Sequence, residues 1–214
     1  MKYDYVFFDL DGTLTDSGEG IINSFKYTFK HYGMEEPPME VMRTFIGPSL
    51  YMTFEGYFGF SHEKAVEAIA VYRTYLNEKG LYENKVYPGI MEILKYLHEQ
   101  GIKIAMATSK PECQSIKVAE YFGFTEYFDK ICGAELDGSR SDKADIIQYA
   151  IDSLGVKDKS KILMVGDRKF DILGAKKIGV DSCGILHGYG TREELQEADA
   201  DFIINTPEEL KTIL

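Results

Sequence analysis

From about residue 86 to the end of the chain, short apolar segments alternate with amphipathic ones. The apolar segments span residues 102–108, 130–132, 162–165, 182–186 and 202–204, and a further one lies at residues 6–9. Such short, unbroken apolar runs are typical of strands that are buried on both faces of a parallel sheet. Strands that alternate with helices build a parallel sheet covered by helices. The sequence therefore predicts an α/β fold with a Rossmann-like, doubly wound parallel sheet.

The segment of residues 16–85 differs, because helical periodicity dominates it and little in it favours a strand. Its clearest helix is predicted over residues 61–79, with Gly80 as a C-terminal stop. The apolar residues at helical spacing there are Val66, Ile69, Tyr72 and Leu76. We therefore predict a small all-helical cap domain of residues 16–85, inserted after the first strand of an α/β core of residues 1–15 and 86–214. Hinges are expected near residues 15–18 and 83–88.

Composition argues against several classes of partner. The net charge of -11 and the pI near 4.9 argue against a nucleic-acid partner, which would need clustered Lys and Arg. No apolar run reaches the length of a membrane span, and the first residues enter a strand too early for a signal peptide, so a cytoplasmic protein is expected. The three cysteines (Cys113, Cys132 and Cys183) lack zinc-site spacing and are expected to be reduced and mostly buried. A monomer and a homodimer both remain open.

Two acidic residues, Asp9 and Asp11, follow the first apolar segment in FFDLDGTLTD. Ligands of open α/β sheets bind beyond the carboxyl ends of the strands, where this pair falls. Residues two apart on a strand point to the same side, and Gly12 lets the chain turn away. Two close carboxylates repel, so one can stay ionised as nucleophile or metal ligand while the other carries a proton. The alternative is an ordinary turn, in which Asp and Gly are common.

A second acidic pair, Asp167 and Asp171, follows another apolar segment in KILMVGDRKFD. Acidic residues at the start of a helix also serve as caps and complement the helix dipole. This helix, however, begins at the same edge of the sheet as Asp9. Together the two pairs supply the oxygen ligands that Mg2+ prefers. We therefore expect a magnesium site between them.

Two further residues, Thr108 and Lys143, are candidates for contact with a phosphate. Thr108 ends the segment KIAMAT, where a hydroxyl is more often structural. Lys143 lies in the first turn of the helix of SDKADIIQYAI, where a cation opposes the helix dipole. A phosphate or a carboxylate in front of Lys143 would explain it. The alternative is a solvated lysine.

In this order and spacing, DLDGT, a strand-terminal Thr, a Lys and GDxxxD resemble the haloacid dehalogenase superfamily. The resemblance covers nearly the whole chain and is nearest to phosphoglycolate phosphatase-like members with a helical cap after strand one. It implies that Asp9 attacks phosphorus and that Asp11 protonates the leaving alcohol and then activates water. It further implies that Mg2+ is held by Asp9, the Asp11 carbonyl and Asp167, with Asp171 orienting waters. Thr108 and Lys143 would hold the phosphoryl oxygens.

The chain departs from the family pattern in places that concern its substrate. Arg168 and Lys169 follow the GD where many relatives have a small hydroxyl residue, and Lys143 lacks the usual Lys-Pro context. In the cap, RTFIGPSL places Arg43 where a guanidinium could read an anionic leaving group, although a solvent-facing Arg is the more frequent outcome. The cap aromatics are expected to form its small core or to line a pocket for a nucleobase or sugar; they include Tyr51, Phe54, Tyr57 and Phe58.

Ser109 directly follows Thr108 and has two possible roles. Ser109 and Glu112 have the spacing of a capping box, as have Thr191 and Glu194, and Pro111 would lie early in the first of these helices. A cap is a sufficient structural role for Ser109. We also include it among the candidate substrate-binding residues, together with Thr108, Lys143 and Arg43.

The predicted function is a Mg2+-dependent phosphomonoester hydrolase that forms an aspartyl phosphate and acts on a small phosphorylated metabolite, phosphoglycolate above others. The alternatives are a nucleoside 5'-monophosphate phosphatase and a β-phosphoglucomutase-like sugar phosphomutase. A rival outside enzymology is a phosphoacceptor signalling domain. It is disfavoured because such domains keep their acidic pair and their phosphorylated Asp on different strands and have no helical insert after strand one. A dehalogenase is disfavoured because it needs neither Asp11 nor a metal.

Overall fold

The computed structural model describes residues 2–214, and a parallel sheet forms its centre. The strands are β1 (Tyr5–Phe8), β2 (Thr15–Asp16), β3 (Lys85–Val86), β4 (Lys103–Pro111), β5 (Lys130–Ala134), β6 (Ile162–Gly166), β7 (Asp181–Ile185) and β8 (Phe202–Ile204). Six of them pair in parallel in the order β5-β4-β1-β6-β7-β8. The prediction of a doubly wound parallel sheet is therefore confirmed.

Nine α-helices lie within residues 2–214. They are α1 (Gly18–Tyr32), α2 (Met39–Arg43), α3 (His62–Tyr75), α4 (Ile90–Glu99), α5 (Glu112–Phe122), α6 (Lys143–Leu154), α7 (Lys169–Ile178), α8 (Arg192–Glu197) and α9 (Leu210–Ile213). In that part of the chain none combines the length and apolarity that a membrane crossing requires.

Alternate residues of the central strand β1 pack against helices on opposite faces of the sheet. Val6 and Phe8 join the cluster that contains the buried side chains of α4 and α5. Phe7 joins a second cluster with buried residues of α6 and α7. This alternation follows from the two-residue period of a strand. It explains why the strands are apolar on both faces, and it leaves the carboxyl ends of the strands free for polar residues.

The segment of residues 16–85, which we term the cap, is helical and packs around its own aromatic core. Phe25 lies 5.7 Å from Phe54 and 4.9 Å from Tyr72 between ring centroids. Of the predicted cap aromatics, Phe54 is fully buried, whereas Tyr57 is 56% exposed. The predicted helix over residues 61–79 is formed by α3 and a π-helical continuation, Leu76–Gly80.

The two connections between the cap and the sheet run side by side. Thr15 pairs with Val86 and Asp16 with Lys85, so that β2 and β3 form a two-stranded antiparallel ribbon. The ribbon starts six residues after Asp9. The cap is therefore joined to the rest of the chain directly beside the acidic pair that follows β1.

The capping box predicted for Ser109 and Glu112 is wrong. Strand β4 continues to Pro111, with a register shift against β5 between Thr108 and Pro111. Ser109 is therefore in the strand, and α5 begins at Glu112 without a side-chain cap. The second box is present in part, because Thr191 caps α8 by accepting a hydrogen bond from the backbone N of Glu194. The carboxylate of Glu194 instead accepts from Arg168.

Candidate active site

Three adjacent strands bring polar side chains to one edge of the sheet. Asp9 follows β1, Thr108 lies near the end of β4, and Asp167 follows β6. The backbone N of Asp9 donates to the carbonyl oxygen of Val165 at 2.9 Å, which extends the pairing of β1 and β6 beyond the strand end. Since β4 and β6 flank β1, residues from distant parts of the sequence converge there.

The carboxylates of Asp9, Asp167 and Asp171 form a buried cluster at this edge. One oxygen from each lies within 4.8 Å of the others. The three residues are at most 5% exposed. Burial, followed by the charges of Asp171 and Asp9, raises the pKa of Asp167 to about 8. Burial also raises the pKa of Asp171 to about 6, although Lys143 opposes this. The cluster therefore holds more negative charge than its surroundings stabilise.

Lys143 supplies the positive charge of the cluster. Its Nζ lies 2.9 Å from Asp9 Oδ1 and 2.7 Å from Asp171 Oδ1, and it donates a hydrogen bond of 3.1 Å to the carbonyl oxygen of Ala107. Burial alone would lower the pKa of Lys143, but the two carboxylates raise it above its ordinary value. The ammonium therefore stays charged. One ammonium does not balance the charge of three carboxylates, so a further cation would be stabilised in this cluster.

The donor set of this cluster fits a hard divalent cation. Asp9 Oδ1 and Asp171 Oδ1 are buried, and within residues 2–214 neither accepts a hydrogen bond of acceptable geometry. Their contacts with Lys143 are ion pairs at short distance rather than well-directed hydrogen bonds. Clustered carboxylate oxygens are the ligands that Mg2+ uses in proteins. Asp9, Asp167 and Asp171 are thus able to hold such an ion, and the predicted contribution of the Asp11 carbonyl stays a prediction.

Asp167 is held in place by loops from two other parts of the chain. Its Oδ1 accepts a hydrogen bond of 3.2 Å from the Thr13 hydroxyl, and its Oδ2 accepts one of 2.7 Å from the backbone N of Tyr189. Gly12 and Gly188 lie so close that a Cβ on either would come within 2.3 Å of Asp167 Oδ2. Gly12 also has a φ of +86°, which favours glycine. The carboxylate is therefore fixed by a close-fitting backbone.

Asp11 points toward a small pocket between the cap and the end of β4. The ammonium of Lys110 donates to both of its carboxylate oxygens, at 3.2 and 3.0 Å. The pocket has a volume of about 60 Å³. It is bounded by Asp9, Asp11 and Thr108 on one side and by cap residues, Phe45 and Tyr72 among them, on the other. The candidate nucleophile Asp9, the candidate acid–base residue Asp11 and Thr108 therefore face one space.

Comparison with known proteins assigns this arrangement to a family. Residues 6–185 match the model of the haloacid dehalogenase-like hydrolases. The chain belongs to this family. A curated relative named 5'-nucleotidase from Pseudomonas aeruginosa is 40% identical over 92% of the chain and 88% of its own length. The tyrosine-protein kinase PtkA of Mycobacterium tuberculosis is 35% identical over 98% of the chain and 72% of its own length.

A solved structure supports the same assignment. The crystal structure of a predicted phosphatase from Clostridium acetobutylicum is 43% identical. It superposes with a TM-score of 0.95 and covers 100% of this chain and 99% of that one. The resemblance to the haloacid dehalogenase superfamily is therefore confirmed. The relative named 5'-nucleotidase and the solved phosphatase structure identify the chain as a phosphatase of that family.

The structure brings together most of the predicted site residues of this phosphatase. Asp9, Lys143, Asp167 and Asp171 form one cluster, and Asp11, Thr108 and Ser109 line the adjoining pocket. The roles that the family pattern implies for them stay predictions. Ser109 is half-buried at the pocket wall, so a contact with substrate remains open to it even though its predicted capping role is wrong.

The structure does not place Arg43 at the pocket. Arg43 is the last residue of α2 and is exposed, while its neighbours Met42, Phe45 and Ile46 are buried. It is absent from the pocket lining. The apolar neighbours set which side of the segment faces inward, so the guanidinium is left on the solvent side. The expectation that Arg43 reads the leaving group is therefore not supported by its position.

Two groups of functional residues were missed from the sequence. The loop HGYG after β7 surrounds Asp167, with Gly188 and Tyr189 in contact with its carboxylate. Two glycines after an apolar strand at the carboxyl edge of the sheet were the available signal. The second is Lys110, whose pairing with Asp11 carried no sequence signal, since the predicted helix start at Ser109 pointed elsewhere.

Proposed function

We propose that this phosphatase hydrolyses small phosphate monoesters with Mg2+ and through an aspartyl phosphate at Asp9. The observation that carries the proposal is the placement of Asp9, which is buried, paired with Lys143 and within 4.8 Å of the carboxylates of Asp167 and Asp171. An ionised carboxylate in such surroundings is suited to attack phosphorus. A bound Mg2+ would supply Lewis-acid stabilisation of the phosphoryl oxygens.

The residues would divide the first half of the reaction between them. Asp9 forms a bond to phosphorus while the bond from phosphorus to the ester oxygen breaks, and Asp11 gives its proton to that oxygen. Thr108 and Lys143 bind the phosphoryl oxygens, where charge is greatest. Lys143 is suited to this because it already neutralises charge at Asp9.

In the second half, water replaces the alcohol. Asp11, now ionised, takes a proton from water as the water oxygen bonds to phosphorus and the bond from phosphorus to Asp9 breaks. Inorganic phosphate leaves, and both aspartates return to their first state. A phosphomutase would instead return the phosphoryl group to a sugar, and a signalling domain would keep it on Asp9.

Pocket size favours a small leaving group. The space beside Asp9 and Asp11 is about 60 Å³, and apolar cap side chains such as Ile21, Phe45 and Leu76 line it. A short alcohol such as glycolate suits this space better than a nucleoside. The second candidate, a nucleoside 5'-monophosphate, is favoured by the relative named 5'-nucleotidase. The kinase name of another relative shows that similarity alone does not transfer an activity to this chain.

A panel of phosphate compounds tests the proposal. Phosphate release is measured for p-nitrophenyl phosphate, 2-phosphoglycolate, AMP and glucose 1-phosphate, with Mg2+ and with EDTA. Steady release that EDTA abolishes is the expected result. Activation by a sugar bisphosphate with little phosphate release would indicate a mutase. A stable phosphoaspartate without turnover would indicate a signalling domain. Each of these outcomes contradicts the proposal.

A further inference from the structure

Among residues 2–214, Lys110 is the single cationic side chain that lines the pocket beside Asp9 and Asp11. The other lysine of the site, Lys143, faces Asp9 and Asp171 of the carboxylate cluster. Most of the cap wall is apolar, with Ile21, Phe45 and Leu76 as examples. A negative group on a leaving alcohol would therefore meet one cation in this pocket.

Lys110 is held firmly at the pocket wall. It lies in the irregular end of β4, and its backbone N donates a hydrogen bond of 3.3 Å to the hydroxyl of Thr108. Its side chain is 5% exposed, and that of its partner Asp11 is 13% exposed. The surroundings therefore screen the charge of Lys110 weakly.

Stability alone does not account for this buried pair. The desolvation of two charges offsets much of their attraction, and well-packed apolar residues in place of a buried ion pair are often neutral or stabilising. Lys110 is moreover next to residues that face the reaction, Thr108 and Asp11. A charge in this position is better explained by a group that enters the pocket.

We propose that Lys110 determines specificity by binding an anionic group on the leaving alcohol. The substrates would be small phosphate monoesters that carry a second anionic group, such as a carboxylate, a few bonds from the ester oxygen. The inference rests on the proposed function, in which Asp11 acts on the ester oxygen. A cation within hydrogen-bond distance of Asp11 is then close to the leaving group, whereas Lys143 serves the transferred phosphoryl group. In this proposal Lys110, and not Arg43, binds the anionic group of the leaving alcohol.

Such a substrate would exchange partners with Asp11. Its anionic group takes the place of the Asp11 carboxylate on Lys110, so the ammonium keeps a partner in its buried position. Asp11 is then released toward the ester oxygen. A neutral leaving group offers no replacement and leaves Asp11 bound to Lys110. One lysine thus links recognition of the leaving group to the freedom of the acid–base residue.

Two esters that differ in one group test the inference. 2-Phosphoglycolate carries a carboxylate where 2-hydroxyethyl phosphate carries a neutral hydroxymethyl group. The wild type is expected to prefer the first in kcat/KM by at least about tenfold, which is the size of one charged hydrogen bond. In Lys110→Met the preference should disappear, and Lys110→Arg should restore part of it. Lys117→Met, an exposed lysine on α5, and Arg43→Met should leave the preference unchanged.

The outcomes separate this inference from the proposed function. If no ester, p-nitrophenyl phosphate included, releases phosphate with Mg2+, the proposed function fails. If p-nitrophenyl phosphate is hydrolysed but the wild type shows no preference for the anionic ester, the inference alone fails, whether or not the variants fold. The inference also fails if folded Lys110→Met keeps the wild-type preference, or if Arg43→Met removes it.

Discussion

Arg168 donates a hydrogen bond of 2.5 Å from Nη1 to the carbonyl oxygen of Ile46, which joins the edge of the sheet to the cap loop above the pocket. The Arg168 side chain is 10% exposed, and its Nε pairs with Glu194 at 2.9 Å. The same carboxylate oxygen accepts from the backbone N of Lys169 at 2.9 Å. Gly47 packs directly on the Arg168 side chain. Arg168, which departs from the family pattern after the GD, therefore holds the cap loop of residues 46–50 in place.

Replacement of Arg168 by Ala is expected to loosen this loop. The change removes the hydrogen bond to Ile46 and leaves Glu194 without its cationic partner. A hydrogen bond to a charged group contributes about 1.5–3 kcal/mol to stability. Amide hydrogen exchange should become faster in residues 46–50. The kcat/KM of the enzyme should fall roughly tenfold, because the loop closes one side of the pocket.

The neighbouring lysine offers a matched control. Lys169 is exposed, and its contact with Glu194 uses the backbone N, so Lys169→Ala keeps that bond. Exchange in residues 46–50 should match the wild type in Lys169→Ala. Unchanged exchange in Arg168→Ala would show that the cap loop is held by its own packing instead.

Mg2+ binding should depend more on Asp167 than on Asp171. Asp171 is partly neutralised by Lys143 at 2.7 Å, whereas Asp167 forms no salt bridge within residues 2–214. Titration calorimetry of Asp167→Ala is expected to show no binding, and Asp171→Ala should bind roughly ten- to a hundredfold more weakly than the wild type. Wild-type affinity in Asp167→Ala would contradict the assignment.

In the metal-free protein, stability should fall as the pH rises through the titration of Asp167. Its pKa is raised from 3.8 to about 8, so the folded state binds a proton that the unfolded state has already lost. The free energy of unfolding therefore decreases from about pH 4 up to about pH 8. Burial lowers the pKa of His187, which acts in the opposite sense only below about its ordinary value of 6.5.

Urea denaturation in EDTA between about pH 7 and pH 8.5 isolates this effect. The wild type should lose stability over this range, and Asp167→Asn, which cannot ionise, should lose markedly less. Identical pH dependence in the two proteins would mean that other groups set the slope.

The sheet was predictable from sequence because its strands are buried on both faces, which leaves an unbroken apolar run at each of them. The convergence of Asp9 and Asp167 was predictable as well, since parallel strands place their carboxyl ends at one edge. The boundary between β4 and α5, predicted at Ser109, was not predictable from the sequence. Local spacing favoured a cap, but pairing with β5 extends β4 to Pro111, and long-range pairing of this kind is absent from a local pattern.

The contacts of single cations were the least predictable part of the site. Arg43 and Lys110 are both basic residues near short motifs, and the sequence gives no direction to either side chain. Burial of Met42 and Phe45 turns Arg43 outward, whereas the extended end of β4 carries Lys110 to Asp11. Which cation faces the pocket depends on packing that only the folded structure contains.

Asp9→Asn should abolish turnover and leave the fold intact. An amide has nearly the same shape as the carboxylate, and Lys143 keeps its pairing with Asp171. An amide does not attack phosphorus as an anionic nucleophile, so a loss beyond about a thousandfold in kcat is expected. Phosphate release is measured on protein that mass spectrometry shows to be free of deamidation. Activity in such a sample would remove Asp9 from the nucleophilic role.

Gly188→Ala should weaken the metal site although it replaces none of the carboxylates that would hold the metal. A Cβ at this position would lie 2.3 Å from both Asp167 Oδ2 and the carbonyl oxygen of Gly12, so the carboxylate must shift. Gly188 has no positive φ, and the change therefore adds no backbone strain.

The expected result for Gly188→Ala is a Mg2+ affinity at least roughly tenfold weaker, with a loss of stability of about 1–3 kcal/mol from overpacking. Gly56→Ala is the matched control, because Gly56 also lacks a positive φ and has no atom within 4 Å of its added Cβ. Calorimetric titration of both variants, alongside urea denaturation, separates the two effects. If Gly188→Ala binds Mg2+ as tightly as Gly56→Ala, Asp167 tolerates displacement, and the fit of the HGYG loop around it serves stability rather than the metal.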